Sequence, residues 1–275
     1  MKLFDVENIK KIRVKGHTWE ILLSNKNILY EEICNFLLNE ENMFYYVTQK
    51  ESTKTLTETK KYVSKLIEQK IIDDSIEDVL KVIGWDNDEL NISNTTFQGD
   101  LAEYLMCILV DQITKIDTII SKTSLKTSPR MPAHGNDNIF YDYENDILYY
   151  GESKFYNNID TALTRAQDSL NKHMGDFEIS FIRSHTGSFI AKDGEKRERI
   201  VEKFETKTAE EINIKSLFFI VNDDVYERSD YEEAIIKKFD SVENINNIGA
   251  IMIFLPILSK SEFLEYFKKR LKTNE

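Results

Sequence analysis

The sequence predicts an α/β protein: a central mixed sheet flanked by helices, preceded by an N-terminal α+β extension. From about residue 94 onward, short runs rich in β-branched and aromatic residues alternate with amphipathic stretches, the pattern of strands and covering helices. One stretch, Thr95 to Ile113, is apolar nearly all round and so belongs in a core. Two strand-like runs, Asn138 to Tyr143 and Ile147 to Tyr156, are separated by Glu144-Asn145-Asp146, residues that favour a turn and so make a hairpin. The expected division is an extension over 1–93, read either as a partner-docking module or as part of the same core, and an α/β core over 94–275.

The elements follow in order. Ile12-Arg13-Val14 and Trp19-Glu20-Ile21-Leu22-Leu23 flank Lys15-Gly16-His17, which predicts a strand hairpin within residues 1–25. Helical periodicity follows near 29–40, 57–70 and 74–83, with the polar run Gln49 to Lys60 as a loop. Thr95 and Gln98 have capping-box spacing at the start of the apolar helix. Gly99 lies one turn before Glu103 on the same face, where it is expected to let another element approach closely. The Ser/Thr/Pro content of Thr114 to His134 predicts mostly loop. After the hairpin come helices near 159–174 and 194–206, a buried strand at Lys215 to Asn222, a helix near 230–239, a strand at 249–255 and a terminal helix at 260–272.

Composition narrows the function. The chain has 275 residues, a net charge of −12 and two cysteines, Cys34 and Cys107, both in apolar helical surroundings; they read as buried free thiols in a reducing cytosol. The N-terminus lacks the apolar run of a signal peptide, and the longest apolar stretch, Ile248 to Leu258, is too short to cross a bilayer, so a cytoplasmic protein without membrane contact is expected. Neither G-x-x-x-x-G-K nor G-x-G-x-x-G occurs, which disfavours an ATPase or a dinucleotide enzyme and leaves no small-molecule cofactor to expect. His17, His134, His173 and His185 show no ligand spacing. The acidic balance argues against nucleic-acid binding by the whole surface. Lys115, Lys122, Lys126 and Arg130, with Asp117 as the one acid, nevertheless make the segment before His134 locally basic. That segment reads either as a contact to a DNA backbone or as a solvated loop, and His134 either as a further phosphate contact or as a structural or exposed turn residue.

The chemistry concentrates on Asp137 and on Glu152-Ser153-Lys154. Alternation along a strand puts Leu148, Tyr150, Glu152 and Lys154 on one face, so a carboxylate and an ammonium stand side by side at the end of an otherwise apolar strand. The hairpin can return Asp137 to Glu152, with Gly135 and Asn136 forming a bend before it. Two carboxylates beside a lysine suit metal-dependent phosphodiester hydrolysis. Asp137 and Glu152 would bind Mg²⁺, with the backbone carbonyl of Ser153 as a third ligand. Lys154 would position water or stabilise developing charge. A surface ion pair is the structural alternative for Glu152 and Lys154, but the flanking Tyr149, Tyr150, Phe155 and Tyr156 predict a buried strand, where a charged pair is costly without a purpose. Glu103, inside the apolar helix, needs an arginine, a backbone donor or a metal. Asp142 and Asp146 are rival carboxylates, read as strand surface and turn. Gln167 falls on the helix after the hairpin, either near the site or on a solvated face.

A helix carrying Glu103, a strand pair carrying Asp137 and Glu152-x-Lys154, and a helix from about Ile159 resemble the PD-(D/E)xK nuclease core. Gly99-Asp-Leu-Ala-Glu103-Tyr-Leu, Ser128-Pro-Arg-Met-Pro-Ala-His134-Gly-Asn-Asp137 and Tyr150-Gly-Glu152-Ser-Lys154-Phe-Tyr156 together resemble the HamA-like nuclease subunit of Hachiman anti-phage defence systems, over roughly Gly99 to Ala166. The resemblance implies a prokaryotic, metal-dependent DNA endonuclease that cuts or nicks, using Mg²⁺ with Mn²⁺ as a substitute, beside a superfamily-2 helicase subunit (HamB-like). It makes Asp137, Glu152 and Lys154 the catalytic triplet and Glu103 an auxiliary acid and further metal ligand. Asn136 stands where the motif's name has proline, a position that tolerates change. Two other classes stay open: a non-catalytic interaction subunit of a helicase complex, and a nuclease acting on RNA.

Overall fold

The structure, a computed structural model, describes residues 5–14, 16–24, 30–39, 85, 92–121, 137–173, 182, 194–207, 211–240 and 249–273. The described elements are β1 (Val6–Val14), β2 (His17–Ser24), α1 (Tyr30–Leu37), α2 (Thr95–Ile113), β3 (Asp117–Ser121), β4 (Asn138–Asp142), β5 (Ile147–Phe155), α3 (Ile159–His173), α4 (Gly194–Thr206), β6 (Asn213–Asp223), α5 (Arg228–Phe239), β7 (Ala250–Ile257) and α6 (Lys260–Thr273). All seven strands form one sheet in the order β1-β2-β7-β6-β5-β4-β3. The central pairings β2–β7, β7–β6 and β6–β5 are parallel. The outer pairings β1–β2, β3–β4 and β4–β5 are antiparallel. This is the predicted mixed α/β sheet between helices.

Helices cover both faces because the central strands are apolar on both sides. Ile33, Cys34 and Leu37 of α1, most of α2, and Phe263, Leu264 and Phe267 of α6 pack on one face with Tyr149, Phe155 and Phe219. On the other, α3 contributes Ile159, Leu163 and Ala166, and α5 contributes Tyr231, Ile235 and Phe239, against Phe218, Ile220 and Phe254. Ile200 and Phe204 of α4 close the same face over Leu148 and Tyr150. The N-terminal hairpin joins this sheet directly. Trp19 is fully buried, with its ring centroid 4.7 Å from that of Phe239 and 6.2 Å from that of Phe218. Both cysteines are buried free thiols, and burial pushes the Cys34 thiol up to about 12.

Three expectations are corrected. The cap of α2 is Asn94, whose side chain accepts from the Thr96 N–H at 2.8 Å; Gln98 instead donates to the Ile92 carbonyl at 2.7 Å, so the Thr95–Gln98 capping box does not form. Asx side chains reach their own helix's N–H groups more readily than threonine, and they win here by one position. Gly99 is exposed, and among the described residues none lies near enough to meet an added Cβ, so no described element approaches it closely. Asp117–Ser121, within the stretch Thr114 to His134 expected to be mostly loop, is the edge strand β3, paired with β4. Its Thr-Ile-Ile core is β-branched but too short to stand out beside its Ser/Thr-rich neighbours. The expected helices near 57–70 and 74–83, the loop from Gln49 to Lys60, and Lys122, Lys126, Arg130 and His134 lie outside the described residues.

Candidate active site

The hairpin β4–β5 carries the site, and its turn uses up the rival acids. The Oδ1 of Asp142 accepts from the N–H groups of Glu144 and Asn145 at 2.9 and 3.0 Å, and its Oδ2 accepts from the Asn145 side chain at 2.7 Å. Asp146 holds the left-handed turn position at φ 59° and is bound by Lys203 of α4 and the Tyr141 hydroxyl. These two partners, Lys203 first, hold its carboxyl below the usual range. Asp146 is therefore a turn residue, as its structural reading had it, whereas Asp142, read as strand surface, ends β4 at 8% exposure with its carboxylate folded onto the turn that follows.

At the other end of the hairpin Asn138 pairs with Gly151, and the Asp137 N–H donates to the Gly151 carbonyl at 3.0 Å. Gly151 is required by close approach: an added Cβ would stand 2.4 Å from a Phe140 ring carbon and 2.9 Å from the Asn138 carbonyl oxygen. That approach lets Asp137 reach across the strand. Its Oδ2 accepts from both the backbone N–H and the hydroxyl of Ser153, each at 2.8 Å. Asp137 is only 8% exposed, and two donors orient its carboxylate.

Glu152 and Lys154 project together from β5, each side chain 13% exposed, and form an ion pair through Glu152 Oε1. The same ammonium donates to the Ser153 carbonyl at 3.1 Å. The Glu152 carboxyl is raised above its ordinary range, by burial first and by the charge of Asp137 second, against the opposing effect of Lys154 and a hydrogen bond from Ser169 on α3. The structure thus brings Asp137, Glu152, Ser153 and Lys154 into one cluster. Helix α2 is tied to it where Asn138 Nδ2 donates to the backbone carbonyl of half-buried Glu103 at 3.0 Å. Gln167 is half-buried on α3, and among the described side chains of that helix it is Ser169 that hydrogen-bonds to Glu152. A serine inside an amphipathic helix carries no signal in a single sequence. The Ser153 hydroxyl was equally hidden, since only the carbonyl of that residue had an expected role.

The donor set suits a hard divalent cation. Two carboxylates and a backbone carbonyl converge, and a carbonyl that accepts one hydrogen bond keeps a second lone pair. The electrostatics agree: with one ammonium against two buried carboxylates, Glu152 resists ionisation, and a further positive charge would relieve it. Among the described residues no three His, Cys, Asp or Glu side chains gather as a ligand set. Mg²⁺ does not require one, because it commonly keeps several waters and binds one or two carboxylates.

A seven-stranded mixed sheet, covered by helices and carrying two acids and a lysine on one hairpin, defines an α/β protein compatible with a nuclease-like core. The family model described as HamA matches residues 2–271, so the resemblance seen in the central motifs extends over nearly the whole chain, and the chain belongs to the HamA family. HamA is a component of the Hachiman anti-phage defence system. No curated protein matches the chain. Among the described residues no helix is long and apolar enough to cross a membrane.

Proposed function

We propose that this protein is a Mg²⁺-dependent endonuclease that nicks or cuts DNA, acting as the effector of a Hachiman system in concert with a superfamily-2 helicase subunit. The observation that carries the reading is the convergence of Asp137, Glu152 and Lys154 around Ser153 in a largely buried setting. Asp137, Glu152 and the Ser153 carbonyl would hold the ion, with Glu103 as an auxiliary acid. When bound, Mg²⁺ supplies Lewis-acid polarisation of the phosphate and acidifies a water. Ser153 orients Asp137 through two donors, so the carboxylate would meet the cation without reorganising. Lys154, held between Glu152 and the Ser153 carbonyl, presents its ammonium to the attacking water or to the charge that grows on the phosphate oxygens. With no nucleotide-binding loop in the sequence, an ATP-driven step falls to the helicase.

The test is cleavage of supercoiled plasmid by the purified chain, alone and with the helicase, in Mg²⁺ and in EDTA. Metal-dependent loss of the supercoiled form, absent in Glu152→Ala and Lys154→Ala variants that keep their fold, is expected. Full activity in either variant would sink the assignment. An inert chain, with and without the helicase, would instead make it a non-catalytic subunit, and cleavage of RNA but not DNA would move the substrate.

A further inference from the structure

Lys260 begins α6 and is 8% exposed, unusual burial for a lysine. Its ammonium donates to the Phe155 carbonyl at 2.6 Å and lies 4.8 Å from the Phe155 ring centroid and 5.4 Å from that of Tyr156. Among the described residues no carboxylate lies within ion-pairing distance of it. Burial disfavours its charged form, and a methionine would fill the same space between the rings at lower cost. What a methionine could not do is hold the carbonyl.

That carbonyl belongs to the residue after Lys154, at the end of the strand that carries the acidic cluster. Other bonds meet at the same edge. The Tyr156 N–H donates to Val221 at 3.1 Å, and the Asp223 N–H to the Asn157 carbonyl at 3.3 Å. The Lys260 N–H donates to Asp223 Oδ1 at 2.7 Å. The end of β5, the link to α3, the end of β6 and the start of α6 are thereby joined in one ring of contacts. Ser153 and Lys154 lie just upstream of that link and Ser169 lies downstream, so the ring sets how strand and helix meet around Glu152.

We propose that Lys260 is a positioning residue for the acidic cluster: its ammonium, fixed on the Phe155 carbonyl, holds the end of β5 and the entry to α3 in the geometry that lets Glu152, Ser153 and Asp137 bind a divalent cation. The role rests on the metal-site reading above. The experiment measures Mn²⁺ binding to the purified chain by the paramagnetic resonance of free Mn²⁺. Amide exchange at Tyr156 and Asp223 and thermal unfolding are measured in parallel, for the wild type, Lys260→Met and Lys260→Arg.

Lys260→Met is expected to unfold cooperatively, to lose protection at both amides and to bind Mn²⁺ about ten-fold more weakly. Lys260→Arg, which keeps a donor, is expected to stay near the wild type in both readouts. Wild-type affinity in a folded Lys260→Met variant overturns the proposal. Should that variant fail to fold, Lys260→Arg decides: wild-type protection combined with a ten-fold loss of Mn²⁺ affinity overturns it. A wild type that binds no Mn²⁺ overturns the metal-site reading and this role with it, while the exchange data still report whether Lys260 holds the strand.

Discussion

Replacing Gly151 with alanine tests whether the close approach of β4 to β5 builds the site. The new Cβ would lie 2.4 Å and 3.1 Å from two Phe140 ring carbons and 2.9 Å from the Asn138 carbonyl oxygen. Comfortable carbon–carbon contact is about 3.5–4.0 Å, so the worst overlap is roughly 1 Å. Phe140 is fully buried under α2 and cannot swing away, and the Asn138 oxygen is backbone in the paired register. Overpacking in such surroundings costs about 1–3 kcal/mol, and the backbone contact puts this case near 3 kcal/mol. At about 2–4 °C per kcal/mol, that is a fall in Tm on the order of 6–12 °C. Relief by spreading the strands also carries Asp137 away from Ser153, and a displacement of about 1 Å can cost on the order of 100-fold in rate. Scanning calorimetry and plasmid cleavage read the two effects separately. In a Phe140→Leu background the ring contact is gone, so Gly151→Ala should cost less than it does alone, by roughly 1 kcal/mol. An unchanged Tm in Gly151→Ala, or strict additivity with Phe140→Leu, would refute the steric argument.

Three further outcomes are expected. In EDTA at pH 7, Glu152→Gln should be more stable than the wild type by about 1 kcal/mol. The sign follows from the raised Glu152 carboxyl: the folded state keeps a proton that the unfolded chain releases, so wild-type stability falls as pH rises from the ordinary 4.5 through the folded value, and the advantage of Glu152→Gln should vanish below that window in urea titrations at stepped pH. Ser169→Ala should weaken Mn²⁺ binding by about ten-fold, measured by calorimetric titration, because it removes a donor that favours ionised Glu152; unchanged affinity would remove Ser169 from the site. Trp19→Ala should cost about 3–5 kcal/mol in denaturant unfolding, since the ring is fully buried against Phe218 and Phe239; a cost below 1 kcal/mol would mean that the hairpin is not part of the core.

What was legible in the sequence was what local chemistry dictates. The hairpin could be read because turn residues separate two β-rich runs, and alternation then placed Glu152 and Lys154 on one face. Helix α2 was legible because a run apolar on every side has nowhere to go but the core. What stayed hidden depends on distant partners. The two donors of Ser153 reach Asp137 only after register is set, and Ser169 reaches Glu152 only because α3 packs back over β5. Gly99 shows the converse error: a glycine near a candidate acid suggested close approach, while the glycine that close approach demands is Gly151. The parallel pairing of β2 with β7 joins strands far apart in the chain, and no local pattern announces it.

That pairing settles which strand the molecule offers at one rim of its sheet, opposite the rim formed by β3. The strand offered there is β1, which turns Glu7, Lys10, Lys11 and Arg13 toward solvent and is broken by a register shift at Asn8 to Lys10, features that discourage another chain from adding on. Behind β1 and its partner β2 lies β7, Ala250-Ile-Met-Ile-Phe-Leu, a smooth apolar strand with the composition of a self-associating one. The β1–β2 pair therefore acts as a built-in guard: a chain without it would present β7 to its own copies, and the foreseeable result is precipitation.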